Sequence, residues 1–481
     1  MSIGNVGRAA LEFMNTLAFA YFVAIVAAYG AVTLLSWYEA RRYARRMVHA
    51  RLRRSLRSRL APPIAVCVPC YNEQAVILGS VRSLLSLSYP DHEVVLCNDG
   101  STDDTLQTLI DGFALYRVDQ MAEERLPTAR VRSVWRSRLH SNLTVVDKEN
   151  GGRSDALNAA INFSRAPLIC CVDADSLLEP TALLSAVRPF IERPERTVAA
   201  GGIIRVSNGC ETARGHVVSV KLPRTTLPML QTVEYLRAFT AARTGWSAIN
   251  GLLIISGAFG VFRKDLVVDV GGFATDSIGE DFELCVRLHH RMRQLKRPYH
   301  VAFVPDPVCW TEAPERLGEL GGQRDRWHRG LTDTLLRHRR MILNPRYGVV
   351  GLVAMPFFVA FELLGAFIEL AGFFTITLSL VLGIVNAETA VLFYALAILA
   401  GVFLSLSALL LEDVAFRTFT RWRDFVRLVL YSVAENFGYR QLMVGYRVRG
   451  FVKYLRGDHA WGEIARTGYA EEDLPIGVGM R

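Results

Sequence analysis

Leu168-Ile169-Cys170-Cys171-Val172-Asp173-Ala174-Asp175 is the stretch on which the fold turns. Five apolar residues in a row, flanked by turn-forming neighbours, predict a strand covered on both faces. The run stops at an acidic turn with carboxylates at i and i+2. Three other segments repeat this grammar. Ile64-Ala-Val-Cys-Val68 is β-rich and ends at Pro69, and Glu93-Val-Val-Leu-Cys-Asn98 ends in Asp99-Gly100-Ser101. Thr144-Val-Val precedes Gly151-Gly152 and a helix from Asp155 to Phe163. Strand, polar turn and helix in alternation predict an α/β domain with a mostly parallel sheet over about 62–304. Ligands bind such sheets at the carboxyl ends of the strands. Asp99, Gly151 and Asp173 all stand at such ends and are read as one site. Residues 120–142, polar and basic, are expected to form a surface insertion.

Apolar segments flank this domain. The chain of 481 residues is 51% hydrophobic with a net charge of +9, a high apolar share for a soluble enzyme. Leu11 to about Trp37 lacks Lys and Arg and suffices to cross ~30 Å of hydrocarbon. Nine arginines follow between Arg41 and Arg59. Directly after an apolar segment, such a cluster fits anionic lipid headgroups better than nucleic acid. By the positive-inside rule it faces the cytoplasm, which predicts a signal anchor. Downstream, Val349–Val385 divides into a surface-lying or re-entrant helix (about 348–360) and a crossing helix (about 362–384). Ala387–Leu411 is a further crossing. Phe425–Tyr446 is amphipathic and reads as an interfacial helix, with a further crossing as the alternative. Glu362 and Glu369, costly in lipid, are expected to face helix partners or a translocation path. Cys67-Val-Pro-Cys70 lies in a β-rich run without a second metal-spaced pair, so its cysteines read as small strand residues.

Asp173 and Asp175 together suit a hard divalent cation, Mg²⁺ or Mn²⁺, and a ribose. Gly151-Gly152-Arg153 opens a helix whose amides and guanidinium suit phosphate, although most Gly-Gly pairs are only turns. Asp281 heads the helix that begins at Glu280-Asp281. It suits a general base in a cleft and, equally, an N-terminal cap. Gln323-Arg324-Asp325-Arg326-Trp327 offers an aromatic face for a sugar and a guanidinium for diphosphate. A tryptophan beside arginines is also common at bilayer surfaces.

In order, Pro69-x-Tyr71-Asn72-Glu73, Asn98-Asp99-Gly100-Ser101-Thr102-Asp103, Gly151-Gly152-Arg153-Ser154-Asp155-Ala156-Leu157-Asn158, Asp173-x-Asp175, Glu280-Asp281 and Gln323-x-x-Arg326-Trp327 resemble the membrane-integrated family-2 glycosyltransferases. That group includes cellulose, chitin, hyaluronan and poly-N-acetylglucosamine synthases. The resemblance implies a GT-A fold and a nucleotide-diphosphate sugar donor, usually a UDP-sugar. It places Pro69, Tyr71 and Glu73 in the donor site and Asp99 at the base or ribose. Arg153, where the family often has Lys, falls at phosphate or uridine. Asp173 falls at the nucleoside, Asp175 at the metal, and Asp281 as base of a single inverting displacement. Gln323, Arg326 and Trp327 fall at the diphosphate and acceptor terminus. Trp461 and Arg466 resemble the gating loop of hyaluronan synthases. Asn98, Gly279 and His328-Arg329 depart from the usual pattern.

The expected organisation is an anchor and basic segment (1–60), a GT-A domain (61–320), an amphipathic helix with Q-x-x-R-W (321–346), a re-entrant helix with two crossings (347–412), and an interfacial helix with a tail (413–481). The expected activity is transfer from a nucleotide sugar to a growing β-linked polysaccharide at the cytoplasmic membrane, catalytic domain in the cytosol. Such synthesis leaves room for export partners. The alternative is one transfer to a lipid carrier or glycolipid. A channel or transporter with a nucleotide-binding domain would leave the acidic motifs unexplained.

Overall fold

The computed structural model describes residues 3–49, 61–213, 215–415, 418–419 and 421–458. Two compact units divide the chain. One is built on a sheet and comprises 44–228 and 252–313; the other is helical and comprises 1–43, 229–251 and 314–462.

The sheet unit holds twelve strands among the described residues. They are β1 (Ile64–Cys70), β2 (His92–Asn98), β3 (Leu115–Val118), β4 (Val131–Ser137), β5 (Leu143–Lys148), β6 (Leu168–Val172), β7 (Leu177–Leu178), β8 (Thr197–Val206), β9 (Glu211–Ala213), β10 (His216–Ser219), β11 (Phe259–Arg263) and β12 (His300–Thr311). Ten form one mixed sheet in the order β3-β4-β5-β2-β1-β6-β11-β8-β12-β7, and β9 and β10 form a ribbon. The block β5-β2-β1-β6 is parallel. Every residue of β1 is buried, which is why it reads as an unbroken apolar run. Pro69 is tolerated in so central a strand because pairing with β6 ends at Cys67–Cys171, so no ladder bond from its nitrogen is missed on that side. Cys67 and Cys70 are buried and unbridged there.

The expected surface insertion at 120–142 is corrected by β4, which pairs antiparallel with both β3 and β5. Within β4 only Val134 and Ser137 are buried, and Arg132 and Arg136 interrupt its apolar residues, so the strand lacks a clear period-2 apolar signal. β2 lies on one side of β1 and β6 on the other. The turns after β1, β2, β5 and β6 therefore open at one end of the sheet, the switch point where ligands bind in such folds.

In the helical unit, Gly7–Tyr43 and Ala387–Val414 are long and apolar enough to cross a membrane. Val350–Leu363 and Gly365–Val381 meet at a 43° bend and would together make a third span. Phe22 packs edge-on to Phe393, with ring centroids 5.1 Å apart. Three glutamates of this unit are each matched by an arginine. Glu362 accepts from the Tyr29 hydroxyl and, at 3.1 Å, from Arg447 Nη2. Glu369 meets Arg440 at 3.3 Å, and Glu435 meets Arg237 at 2.5 Å. Each pair relieves the cost of a charge held among apolar helices.

Three expectations shift here. The segment Phe425–Tyr446 is two helices, Trp422–Ala434 and Tyr439–Leu455, because Gly438 between them has φ +92°, outside the helical region. The boundary expected at 320/321 falls inside the helix Leu317–Arg337. Residues 229–251, within the expected GT-A span, belong to the helical unit: the Ser36 hydroxyl donates to the Ala241 carbonyl and Arg237 reaches Glu435.

Helices Leu317–Arg337 and Tyr439–Leu455 approach closely. A Cβ on Gly450 would lie 2.6 Å from the Asp325 carbonyl oxygen, whereas one on Gly445 would meet nothing within 4 Å. Gly450→Ala should therefore force the helices apart at a cost of about 1–3 kcal/mol, while Gly445→Ala should be neutral or slightly stabilising. Melting temperatures of the two variants in one detergent check this; equal values would refute it.

Candidate active site

The site is assembled from the turns at the carboxyl end of the parallel block. Asn72, after β1, has φ +56°. Its side-chain oxygen accepts from the Thr102 amide at 2.8 Å, and its own amide donates to Ser101 Oγ at 3.0 Å. The Glu73 amide donates to Thr105 Oγ1 at 2.9 Å. These bonds knit the turn after β1 to the turn after β2. They leave Tyr71 exposed at the rim and bury Glu73.

Asp99 is buried, and its carboxylate is engaged within the protein. It accepts from the amides of Gly151 (3.0 Å) and Gly152 (2.8 Å) and from Lys148 Nζ. Lys148, fully buried, also pairs with Asp155 at 2.7 Å. Burial works against its charge, but Asp155 and Asp99 more than offset this and hold it above the ordinary lysine range. Asp99 and Lys148 thus shape the Gly-Gly turn that starts helix Arg153–Phe163. Asn98, the departure from the family pattern, donates to Asp147 at 2.7 Å and accepts from Ser101 Oγ at 2.6 Å.

Arg153 is the hub. Its Nε and Nη2 donate to Asp173 Oδ1 at 2.9 and 2.6 Å. Nη2 also donates to the Gly257 carbonyl at 2.8 Å, and Nη1 donates to Glu280. Burial opposes its charge, yet Asp173 and Glu280 keep the guanidinium protonated well above its usual range. Glu280 is buried; burial and Asp281 hold its carboxyl above the usual carboxylate range, with Arg153 pulling the other way. Asp281 opens the helix Glu280–Gln294. Its Oδ2 accepts from the Gly257 amide at 2.9 Å and its Oδ1 from the Phe282 amide at 2.8 Å. The cap position of this helix is Gly279, so Asp281 lies inside the first turn, with one oxygen on the adjacent Phe282 amide and the other on the Gly257 amide. His289 ties the same helix down. Its Nε2 donates to the Leu252 carbonyl at 2.8 Å, and its Nδ1 accepts from the Tyr299 hydroxyl at 2.9 Å. Burial pushes it down to about 4, so it is neutral.

Asp175 is half-buried beside a cavity of about 270 Å³ lined by Gln74, Ser80, Arg82, Leu177 and Thr212 among others. Burial, and then the Asp173 carboxylate, push its carboxyl up to about 7. Two carboxylates at i and i+2, one of them raised by the other's charge, fit a hard divalent cation. Among the described residues, no three His, Cys, Asp or Glu side chains converge on one point. A cation here would take its remaining ligands from phosphate and water, as Mg²⁺ commonly does.

Gln323, Arg326 and Trp327 lie in the helical unit, on helix Leu317–Arg337. Trp327 is 46% exposed, and the cation over its ring is Arg324, at 4.2 Å, rather than Arg326. Arg324 is anchored by Glu234 at 2.8 Å, and Glu234 accepts from the Tyr439 hydroxyl at 2.7 Å. Gln323 is half-buried, its Oε1 without a hydrogen-bond donor. The buried Asp325 meets Arg329 (3.1 Å), Arg449 (3.4 Å) and Lys453 (2.8 Å). His328 and Arg329 are both buried. Trp461 and Arg466 lie outside the described residues.

Sequence reading assigned no role to Lys148, Gly257, Glu280 or Arg324. Lys148 carried one usable signal, a lone cation closing an apolar strand just before Gly-Gly. Gly257 carried none, because its partners come from helices far apart in the chain.

A ten-stranded mixed sheet with acidic turns at the ends of its parallel block is an α/β fold that binds ligands at those strand ends. Residues 62–330 match the family model described as "Glycosyltransferase like family 2", and the chain belongs to that family and is a glycosyltransferase. The poly-beta-1,6-N-acetyl-D-glucosamine synthase of Staphylococcus epidermidis (strain ATCC 35984) is 28% identical over 275 residues, covering 57% of this chain and 56% of that one. The synthase of the same name from Staphylococcus aureus (strain COL) matches at 28% over 275 residues. The chain thus spans about half the length of these curated relatives. A solved mannosyltransferase from Pyrobaculum calidifontis, in complex with GDP-Man and Mn²⁺, superposes with a TM-score of 0.51 at 19% identity, covering 88% of this chain and 99% of that one. That likeness establishes the GT-A fold.

Asp175 generates a stability prediction. Its folded-state pKa, about 7, lies above the unfolded value of ~4. Its contribution to stability is thus complete below ~4 and is lost as pH rises through about 7. In EDTA, Asp175→Asn should melt higher than the wild type at pH 8, with the difference shrinking as pH falls and gone by about pH 4. Added Mn²⁺ should raise the melting temperature of the wild type alone. A melting difference independent of pH would contradict the assignment.

Proposed function

We propose that this glycosyltransferase is an inverting membrane enzyme that moves a sugar from a UDP-sugar to a growing β-linked polysaccharide. The observation that carries the reading is the reach of a single guanidinium. Arg153 touches Asp173, on the donor side, and Glu280, whose neighbour Asp281 is the base. Donor turn and base are thereby held in one frame, as a single displacement requires. Asp281 takes the proton from the acceptor hydroxyl. That oxygen attacks the anomeric carbon, the anomeric carbon–oxygen bond to the diphosphate breaks, and UDP leaves. Asp175 would hold a divalent cation, Mg²⁺ or Mn²⁺, which when bound neutralises charge on the diphosphate. Asp173 faces the nucleoside, and the turns carrying Tyr71, Glu73 and Asp99 form the base-binding wall. Gln323, Arg326 and Trp327 take the diphosphate and acceptor terminus by motif position.

The polymer reading is supported by the names of the Staphylococcus relatives, which also make N-acetylglucosamine the first sugar to test. The two apolar helices fit integration in a membrane, and the arginines after the first of them favour a cytosolic active site.

Membranes containing the full chain should release UDP from UDP-N-acetylglucosamine with Mn²⁺, and mass analysis of the product should find a sugar chain. A single sugar on a lipid would establish the non-processive alternative instead. Asp281→Asn should lower turnover by roughly 100- to 10,000-fold and leave UDP affinity intact. Near-normal turnover in that variant would sink the assignment of the base.

A further inference from the structure

Glu280 is buried, carries a charge-bearing group, and has no assigned part in the reaction. Its partner is Arg153, and the remaining bonds of Arg153 explain what the pair holds. The guanidinium donates to the Gly257 carbonyl at 2.8 Å. The amide of that same residue donates to Asp281 Oδ2 at 2.9 Å. Gly257 is thus a link between two side chains: its C=O is fixed by Arg153, and its N–H fixes the carboxylate that serves as base. A Cβ on Gly257 would lie 2.8 Å from Arg153 Nη2, so a side chain there would push the guanidinium out of this position. His289 holds the far side of the same loop through the Leu252 carbonyl, so the loop is pinned at both ends to the helix that bears Asp281.

We propose that Glu280 is a positioning residue for Asp281, acting through Arg153 and the Gly257 peptide, so that Arg153 serves as a bracket between the donor turn and the base. This rests on Asp281 being the base, as argued above. A guanidinium suits the task in this chain. Its planar fork reaches Asp173, Glu280 and a carbonyl at once, whereas lysine presents a compact point charge on a flexible stem. Glu280 orients the fork, and without it the guanidinium is free to turn wholly toward Asp173. The Gly257 amide then loses its fixed direction, and misplacement of a base by an ångström costs on the order of 100-fold.

The test uses the full chain in nanodiscs with UDP-N-acetylglucosamine and Mn²⁺, scored by UDP release. Glu280→Gln should lower kcat at least ten-fold and change donor KM less than about three-fold, and Arg153→Lys, which also loosens Asp173, should lower kcat at least as much. The double variant should be no worse than the poorer single, because both act on one link. Gly257→Ala should reproduce the effect without removing any charge, which keeps the test decisive if Glu280→Gln folds poorly. Equal UDP affinity in all variants verifies that the donor site is intact. A kcat within two-fold of the wild type for Glu280→Gln would overturn the proposal. So would a loss confined to donor KM, which would make the pair donor ligands, or multiplying losses in the double variant. If Asp281→Asn keeps its turnover, or the wild type releases no UDP, the underlying reading fails first. If Asp281→Asn is inactive while Glu280→Gln is not, only the bracket fails.

Discussion

A largely buried guanidinium with three partners organises the sheet unit. Arg153 sits at the start of a helix and reaches an acidic turn after β6, a carbonyl before β11 and a carboxylate at the head of another helix. No two of those partners are near in sequence. Burial would be prohibitive for the charge alone; two carboxylates and a carbonyl make it stable. The partners in turn are held where the guanidinium needs them. The arrangement is over-determined, which suits a site that must keep reacting groups in register.

A second network of the same kind underlies it. Lys148 is wholly buried, yet Asp99 and Asp155 hold its charge, and Asp99 spends its remaining acceptor capacity on the Gly151 and Gly152 amides. The motif Asp99-Gly100-Ser101 and the motif Gly151-Gly152 are therefore one object. Their spacing in the chain reflects the strand order β5-β2-β1, which sets their turns side by side. The helical unit follows the same rule in an apolar setting, where Glu362, Glu369 and Glu435 each meet an arginine.

Much of the fold was legible because its signals are local. Continuous apolar runs ending at Asp, Asn or Gly mark strands buried on both faces, and β1, β2, β5 and β6 lie where those runs lie. Long apolar segments mark the candidate spans by the same logic. The edge of the sheet was less legible. β4, Val131-Arg-Ser-Val-Trp-Arg-Ser137, mixes apolar, basic and serine residues without a period of two and so resembles a loop until its neighbour is known. The helix break at Gly438 was hidden because a glycine within an amphipathic pattern signals a break only through its backbone angle.

The candidate site divides in the same way. Sequence alone determined the residue types and their order: acidic turns at strand ends, Glu280-Asp281 at a helix start, and Gln323, Arg326 and Trp327 before the apolar helices. Those follow from short-range grammar, in which a polar group has to sit where a strand stops or a helix begins. Only the tertiary structure decided which groups meet. It gave Arg153 to Asp173, Gly257 and Glu280, assigned Asp99 to the Gly-Gly turn, and set Arg324 rather than Arg326 over Trp327. Pairings of this kind depend on strand order and helix rotation. Both are settled by burying the whole apolar surface at once, and no segment read alone contains that information.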